Sequence, residues 1–181
     1  MAFKINTANK LTVFRIILIP FFIILLIYRY TSAALLIFGL ASITDAMDGF
    51  IARRWNQKTR LGSFLDPMAD KAMLITSFIT LAILHFLPGW LAVITISRDL
   101  IIVLGALIVY ILTGNLSFSP TFLGKMTTMV QILTILITLL GHQFQKVKLC
   151  LPIFIWLTAI ITAVSGFQYL SIGMEMLNES S

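Results

Sequence analysis

The chain has 181 residues, 59% of them hydrophobic and 11% charged, with 13 lysines and arginines against 7 acidic residues and a net charge of +6. This composition, with a mean hydropathy of +1.01, excludes an ordinary soluble domain and predicts an all-α integral membrane protein. The basic residues flank apolar runs, so the positive charge reads as attraction to anionic lipid headgroups and argues against a nucleic-acid partner.

Residues 1–10 form a short N-terminal arm in which Phe3, Ile5, Lys4 and Lys10 fit either one interfacial amphipathic turn or an irregular start. A spanning helix needs about 20 mostly apolar residues. Six such runs follow, at approximately 11–29, 33–53, 66–87, 90–113, 121–141 and 149–172. They are continuously apolar, which predicts six transmembrane helices and not the alternating strands of a barrel. The first run also resembles a signal peptide, with TSA at 31–33 as a cleavage site, but its length favours a retained span. Pro20 is expected to bend it. Tyr28, Tyr30, Trp90 and Trp156, with His85 and His142, fall at span ends and read as interfacial. Cys150, the single cysteine, has no internal disulfide partner and is expected to pack in the core of the last span. No second domain or repeat is visible, so residues 1–181 are expected to form one membrane domain.

Basic residues set the orientation. Lys4, Lys10, Arg53, Arg54, Lys58 and Arg60 lie on one side of the predicted spans, and Arg29, Lys146 and Lys148 on the other. The asymmetry places both termini and the 54–65 loop in the cytoplasm.

Five of the acidic residues, Asp45, Asp48, Asp66, Asp70 and Asp99, fall within or at the ends of apolar runs. Each carboxylate at the centre of a spanning helix costs about 2.5 to 3.5 kcal/mol, so compensating partners are required. Asp45 and Asp48 are spaced i, i+3 and Asp66 and Asp70 i, i+4, which puts each pair on one helix face. If the two helices run antiparallel, the faces can meet. One reading is oxygen ligation of a hard divalent cation, Mg2+ or Mn2+; the other is ion pairing with Arg53, Arg60 or Lys71. Gly49, Ala52 and Gly62 keep the same region narrow, and with Arg53 and Arg60 at its rim it suits a diphosphate.

The stretch DAMDGFIARRWNQKTRLGSFLDPMAD resembles, at every fixed position, the D-x2-D-G-x2-A-R-x8-G-x3-D-x3-D signature of the CDP-alcohol phosphotransferase (CDP-alcohol phosphatidyltransferase) family: Asp45, Asp48, Gly49, Ala52, Arg53, Gly62, Asp66 and Asp70. The opening NTANKLTVFRIILIP is similar to NIPNxLTxxRxxLxP of the phosphatidylglycerophosphate and cardiolipin synthase branch, matching at Asn6, Asn9, Thr12, Arg15 and Pro20 and differing at Ala8. The resemblance implies six transmembrane helices, usually a homodimer, and transfer of the phosphatidyl group from CDP-diacylglycerol to an alcohol with release of CMP. It implies two Mg2+ or Mn2+ ions on Asp45, Asp48, Asp66 and Asp70, with Asp70 also the general base. Gly49, Ala52, Arg53 and Gly62 would line the CDP pocket. In a chain of this type the site is expected to face the cytoplasm, at a bacterial inner membrane.

The acceptor is expected to meet Arg98, Lys125 and Arg60. In the glycerophosphate-using branch one helix carries an AREF-like motif and the next a GKIKT-like one; here Asp99 replaces the glutamate and Thr127 the second lysine. ISRDL and SPTFLGKMTTMVQIL are also similar to the corresponding segments of CMP-forming cardiolipin synthases, whose acceptor is phosphatidylglycerol. Glycerol 3-phosphate is the preferred expectation and phosphatidylglycerol the alternative. A divalent-cation transporter, which also uses intramembrane carboxylates, would not need Gly49, Ala52 and Arg53 at fixed offsets, and membrane prenyltransferases are longer with widely separated aspartate motifs.

Overall fold

The computed structural model describes residues 7–55, 60–113 and 121–179, with side chains at residue 12 and at residues 14–44, 68–109, 111–112 and 121–176. Regular structure among the described residues is entirely helical: α1 (Thr7–Ile27), α2 (Thr31–Trp55), α3 (Arg60–Ile83), α4 (Gly89–Thr113), α5 (Phe122–Gly141), α6 (Gln145–Lys148) and α7 (Leu151–Glu179). The six long helices follow the six apolar runs. Among the described residues, three helical stretches, Gly89–Val109, Phe122–Gly141 and Gln145–Met176, are long and apolar enough to cross a membrane, and α1 and α2 carry shorter apolar stretches, Phe14–Ile27 and Thr31–Thr44. The outer surface is apolar as well: Phe14, Ile17, Phe21 and Ile24 of α1 and Val103, Leu107 and Ile111 of α4 are all exposed. Such continuous stripes are stable only against lipid, and the chain is an integral membrane protein.

Several boundaries differ from those expected. Residues 7–10 belong to α1 and not to an arm, and residues 1–6 lie outside the described residues. The third helix starts at Arg60, six residues before its apolar run, because its first turns are polar yet still helical. Pro20 sits inside an unbroken α1. Cys150 is exposed in the turn before α7, so it packs in no core; the single turn of α6 ends just before it and carries it outward.

Helix packing closes a ring, α1 against α2 and α3, α3 against α4, α4 against α7, α7 against α5 and α5 back against α2, with α3 also touching α5 across the middle. The two ends of this ring are chemically different. Phe22, Leu26, Phe38, Phe78, Leu81, Leu91, Ile135 and Leu139 form an apolar core in the half nearest the 28–30, 84–88 and 142–150 connections. Buried hydroxyls on α5 are satisfied within the bundle: Thr127, Thr134 and Thr138 donate to carbonyls one turn back at 2.6–2.9 Å, and Thr134 and Thr158 join α5 to α7 at 2.6 Å. Without water in the hydrocarbon, such internal pairing is obligatory.

At the apolar end, α1 and α3 stop on left-handed residues that are not glycine, Arg29 (φ 64) and His85 (φ 58). Both make the paired backbone bonds of a Schellman cap: Arg29 N–H to Leu26 O and Tyr30 N–H to Leu25 O, and His85 N–H to Ala82 O and Phe86 N–H to Leu81 O, at 2.8–3.1 Å. Phe86 then lies under the Arg29 guanidinium, 4.9 Å from its ring centroid, and against the His142 ring at 3.7 Å. Partial burial holds His142 below its ordinary pKa, and Lys148 and Arg29 act in the same direction. A proton therefore binds the unfolded state more readily than the folded one, so the His142 contribution is whole above about pH 6.5 and fades as pH falls from there toward the lowered value. Thermal unfolding in detergent should show this loss as pH falls below about 6.5, and His142→Phe, which keeps a ring against Phe86, should flatten that slope.

Candidate active site

Polar groups collect in the other half of the bundle, where two cavities lie on either side of the α3–α5 contact. The smaller, about 40 Å³, is walled by Arg15 of α1, Phe38, Ala41 and Ser42 of α2, Asp70, Met73 and Leu74 of α3, and Thr128 and Ile132 of α5. Arg15, almost fully buried, donates a charge-assisted hydrogen bond to Asp70. The larger cavity, about 370 Å³, is lined by Lys71 and Ile75 of α3, Arg98, Asp99 and neighbouring apolar residues of α4, Gly124, Lys125 and Thr128 of α5, and Tyr169 of α7. Thr128 borders both cavities. Asp70 and Lys71 are consecutive on a helix and so point about 100° apart, which turns one toward each cavity.

In the larger cavity the charges are tied together. Lys71 Nζ donates to both oxygens of Asp99 at 2.7 and 2.8 Å. Arg98 Nη1 donates to Asp99 Oδ1 at 2.7 Å, and Nη2 to Ser165 Oγ of α7 at 2.8 Å. Adjacent helix positions do not face one another, but the length of the arginine side chain lets it reach back to the next residue. Arg98 is 6% exposed and Asp99 11%. Three cations, Lys71, Arg98 and Lys125, and one carboxylate line this cavity, a formal balance of +2. Its outer wall includes Leu100 and Val103, both exposed toward lipid.

Of the residues expected at a metal and CDP site, Asp70 is the one whose side chain is described. Asp45 and Asp48 fall in the second half of α2, and Asp66 one turn before Asp70 on α3. Their side chains, and those at Gly49, Ala52, Arg53, Arg60 and Gly62, lie outside the described residues. Asp45 follows Ala41 and Ser42 of the smaller cavity wall by one turn of α2. The donor set read from the sequence, carboxylates spaced i, i+3 and i, i+4, fits a hard divalent ion, and of the four Asp70 is seen to border the smaller cavity. Arg98 and Lys125, expected to meet the acceptor, do share one cavity. Thr127 is buried and bonds its own helix, away from it.

A family model for CDP-alcohol phosphatidyltransferases matches residues 5–164. The chain belongs to that family. A protein of Yersinia pestis (strain Pestoides F) named CDP-diacylglycerol--glycerol-3-phosphate 3-phosphatidyltransferase is 35% identical over 182 residues, spanning 97% of this chain and 99% of its own length. Proteins of the same name from Haemophilus influenzae (37% over 182 residues, 96% of each chain) and Sodalis glossinidius (38% over 175 residues, 92% of this chain and 94% of the relative) are similar to it throughout.

Two parts of this polar cluster are not marked in the sequence. Lys71 was weighed only as a partner for the motif aspartates, yet its described carboxylate is Asp99, while Asp70 has Arg15. Ser165 and Tyr169 carry no motif signal, being two of several polar residues, Thr158, Thr162, Gln168 and Ser171 among them, in a mostly apolar run. Because Arg98 is buried, removing its carboxylate leaves a cation that the bundle solvates poorly. Asp99→Ala should destabilise the protein by about 3 kcal/mol or more, measured by thermal unfolding in detergent, whereas Asp99→Glu, which restores the charge, should recover most of it.

Proposed function

We propose that the protein transfers the phosphatidyl group from CDP-diacylglycerol to glycerol 3-phosphate and releases CMP. The carrying observation is the pair of cavities separated only by α3 and α5, one bordered by Asp70 and its partner Arg15, the other by a cluster of balance +2. In this reading the first receives the diphosphate of the lipid donor and the second the acceptor. A phosphate monoester carries about −1.5 to −2 charges near pH 7, which matches the second cavity closely. Phosphatidylglycerol, a diester with a single negative charge, would leave one cation unmatched in a narrow apolar wall. Lys71 thus answers the absence of a second lysine at Thr127: the cation comes from α3 instead. The names of the full-length relatives point the same way.

The chemistry assigned to the residues is a direct displacement. The acceptor hydroxyl oxygen forms a bond to the phosphorus that carries diacylglycerol, the bond from that phosphorus to the bridging oxygen breaks, and CMP leaves with the electron pair. Asp70 takes the hydroxyl proton, and Arg15 holds its carboxylate in a fixed orientation. Lys71, Arg98 and Lys125 bind the acceptor phosphate and keep the hydroxyl end toward Thr128 and the partition. Divalent ions, held by Asp45, Asp48, Asp66 and Asp70, would supply neutralisation of the diphosphate and of the charge growing on the leaving oxygen. Gly49, Ala52, Arg53 and Gly62 are assigned to the CDP moiety, and Arg60 to the acceptor mouth.

The polar half lies toward the C-terminal end of α2 and the N-terminal end of α3, where the sequence carries Arg53, Arg54, Lys58 and Arg60. The positive-inside rule supports a cytoplasmic opening, where a water-soluble acceptor arrives while the lipid tails remain in the bilayer. Purified protein given CDP-diacylglycerol, Mg2+ or Mn2+ and glycerol 3-phosphate should release CMP and form the phosphatidyl product. Asp70→Asn should lower turnover by about a hundredfold or more, and Lys125→Ala should raise KM for glycerol 3-phosphate with little change for CDP-diacylglycerol. CMP release only with phosphatidylglycerol would replace the acceptor assignment; metal flux in liposomes without CMP release would replace the enzymatic reading.

A further inference from the structure

Ser165 and Tyr169 stand one turn apart on α7, and both close on Arg98. Besides the 2.8 Å bond from Arg98 Nη2 to Ser165 Oγ, the guanidinium carbon lies 5.4 Å from the centroid of the Tyr169 ring, within cation–π range. The Tyr169 hydroxyl reaches further and accepts a hydrogen bond from the Thr121 backbone N–H at 3.1 Å. Thr121 is the N-cap of α5, its own hydroxyl accepting from the Gly124 N–H at 3.1 Å. Gly124 leaves the room this contact needs, since a Cβ there would stand 2.8 Å from Tyr169 Oη and 3.3 Å from Arg98 Nη2. The next residue is Lys125.

One buried aromatic side chain therefore touches the arginine of α4 and the turn of α5 that carries the lysine. Neither Ser165 nor Tyr169 belongs to the aspartate signature, and the family match ends at residue 164. We propose that Tyr169, with Ser165 behind it, is a positioning residue for the acceptor, fixing the separation of Arg98 and Lys125 before the phosphate arrives. This inference rests on the reading of the larger cavity as the acceptor site.

The physical reason is the entropy of long cationic side chains. An arginine free to sample its rotamers must be immobilised each time an anion binds, which weakens binding. Here Arg98 is ordered at folding by Asp99, Ser165 and the Tyr169 ring, and the α5 cap is tied to the same tyrosine. The two cations then meet a phosphate already spaced for it, and the hydroxyl of the bound acceptor is held in line with the partition. Tyr169 acts through Arg98 and Thr121 and not on the reacting atoms.

The test compares full-length wild type with Tyr169→Phe, Tyr169→Leu and Gly124→Ala, measuring initial rates against glycerol 3-phosphate and CDP-diacylglycerol separately, with thermal unfolding alongside. Tyr169→Phe keeps the ring and loses the link to Thr121, and should raise acceptor KM by about threefold, the size expected for one lost buried hydrogen bond. Tyr169→Leu and Gly124→Ala disturb both links and should raise it by about tenfold. KM for CDP-diacylglycerol should stay near wild type, as should the unfolding temperature of Tyr169→Phe. An unchanged acceptor KM in Tyr169→Leu would overturn the proposal, as would equal rises for both substrates accompanied by a lower unfolding temperature. Wild-type turnover with glycerol 3-phosphate against phosphatidylglycerol tests the underlying reading on its own, and the variant-to-wild-type ratio is taken with whichever acceptor the wild type uses. A wild type that releases CMP with neither overturns both.

Discussion

A carboxylate inside an apolar bundle must be neutralised by its neighbours, and Asp99 meets that demand with two cations from two helices. Lys71 binds both of its oxygens, and Arg98 takes one of them. From this cluster the neighbouring helices follow. Lys71 holds α3 to α4, Ser165 holds α4 to α7 through the same arginine, and Tyr169 carries the connection to the first turn of α5. Buried ion pairs add little net stability compared with apolar packing. Their value here is register: pairing the nearly buried Arg98 and Asp99 with each other and with Lys71 and Ser165 ties α3, α4 and α7 in one relative arrangement.

The same demand explains why the bundle divides into unlike halves. The half near Phe22, Phe38, Phe78 and Leu139 is closed by apolar packing, with hydroxyls bonded to their own helices. The other half pays for its buried charges by concentrating them where they pair, Arg15 with Asp70 on one side of the partition and the Asp99 cluster on the other. A two-substrate transfer has to bring the acceptor oxygen against the phosphorus, and Thr128 marks the place where the two cavities adjoin. In the reading proposed here, Asp70, Lys71 and Thr128 form the wall between them.

The helices were legible because hydrocarbon imposes long apolar runs, and the aspartate signature was legible because its residues are close in sequence. The ends were less so. Arg29 and His85 occupy left-handed caps without the glycine that would mark them, and Arg60 begins a helix before its apolar stretch does. The exposure of Cys150 depends on the short turn at 145–148, too brief to show a period. Contacts between distant segments were hidden for a different reason. Arg15 and Asp70, Lys71 and Asp99, and Arg98 and Ser165 are joined by the order of helices around the ring. One helix carries no record of that order. The sequence therefore offers Lys71 as one possible partner of the neighbouring aspartates, whereas the turn of the helix points it at α4.

In the proposed reading the charge of the larger cavity selects the acceptor, and Lys71→Gln tests this most directly. The substitution removes one positive charge while leaving a polar side chain against Asp99. Steady-state kinetics on the purified variant should show KM for glycerol 3-phosphate raised by about tenfold or more, with KM for CDP-diacylglycerol close to wild type. An increase confined to CDP-diacylglycerol, or shared equally by both substrates, would contradict the division of the bundle into a donor chamber and an acceptor chamber.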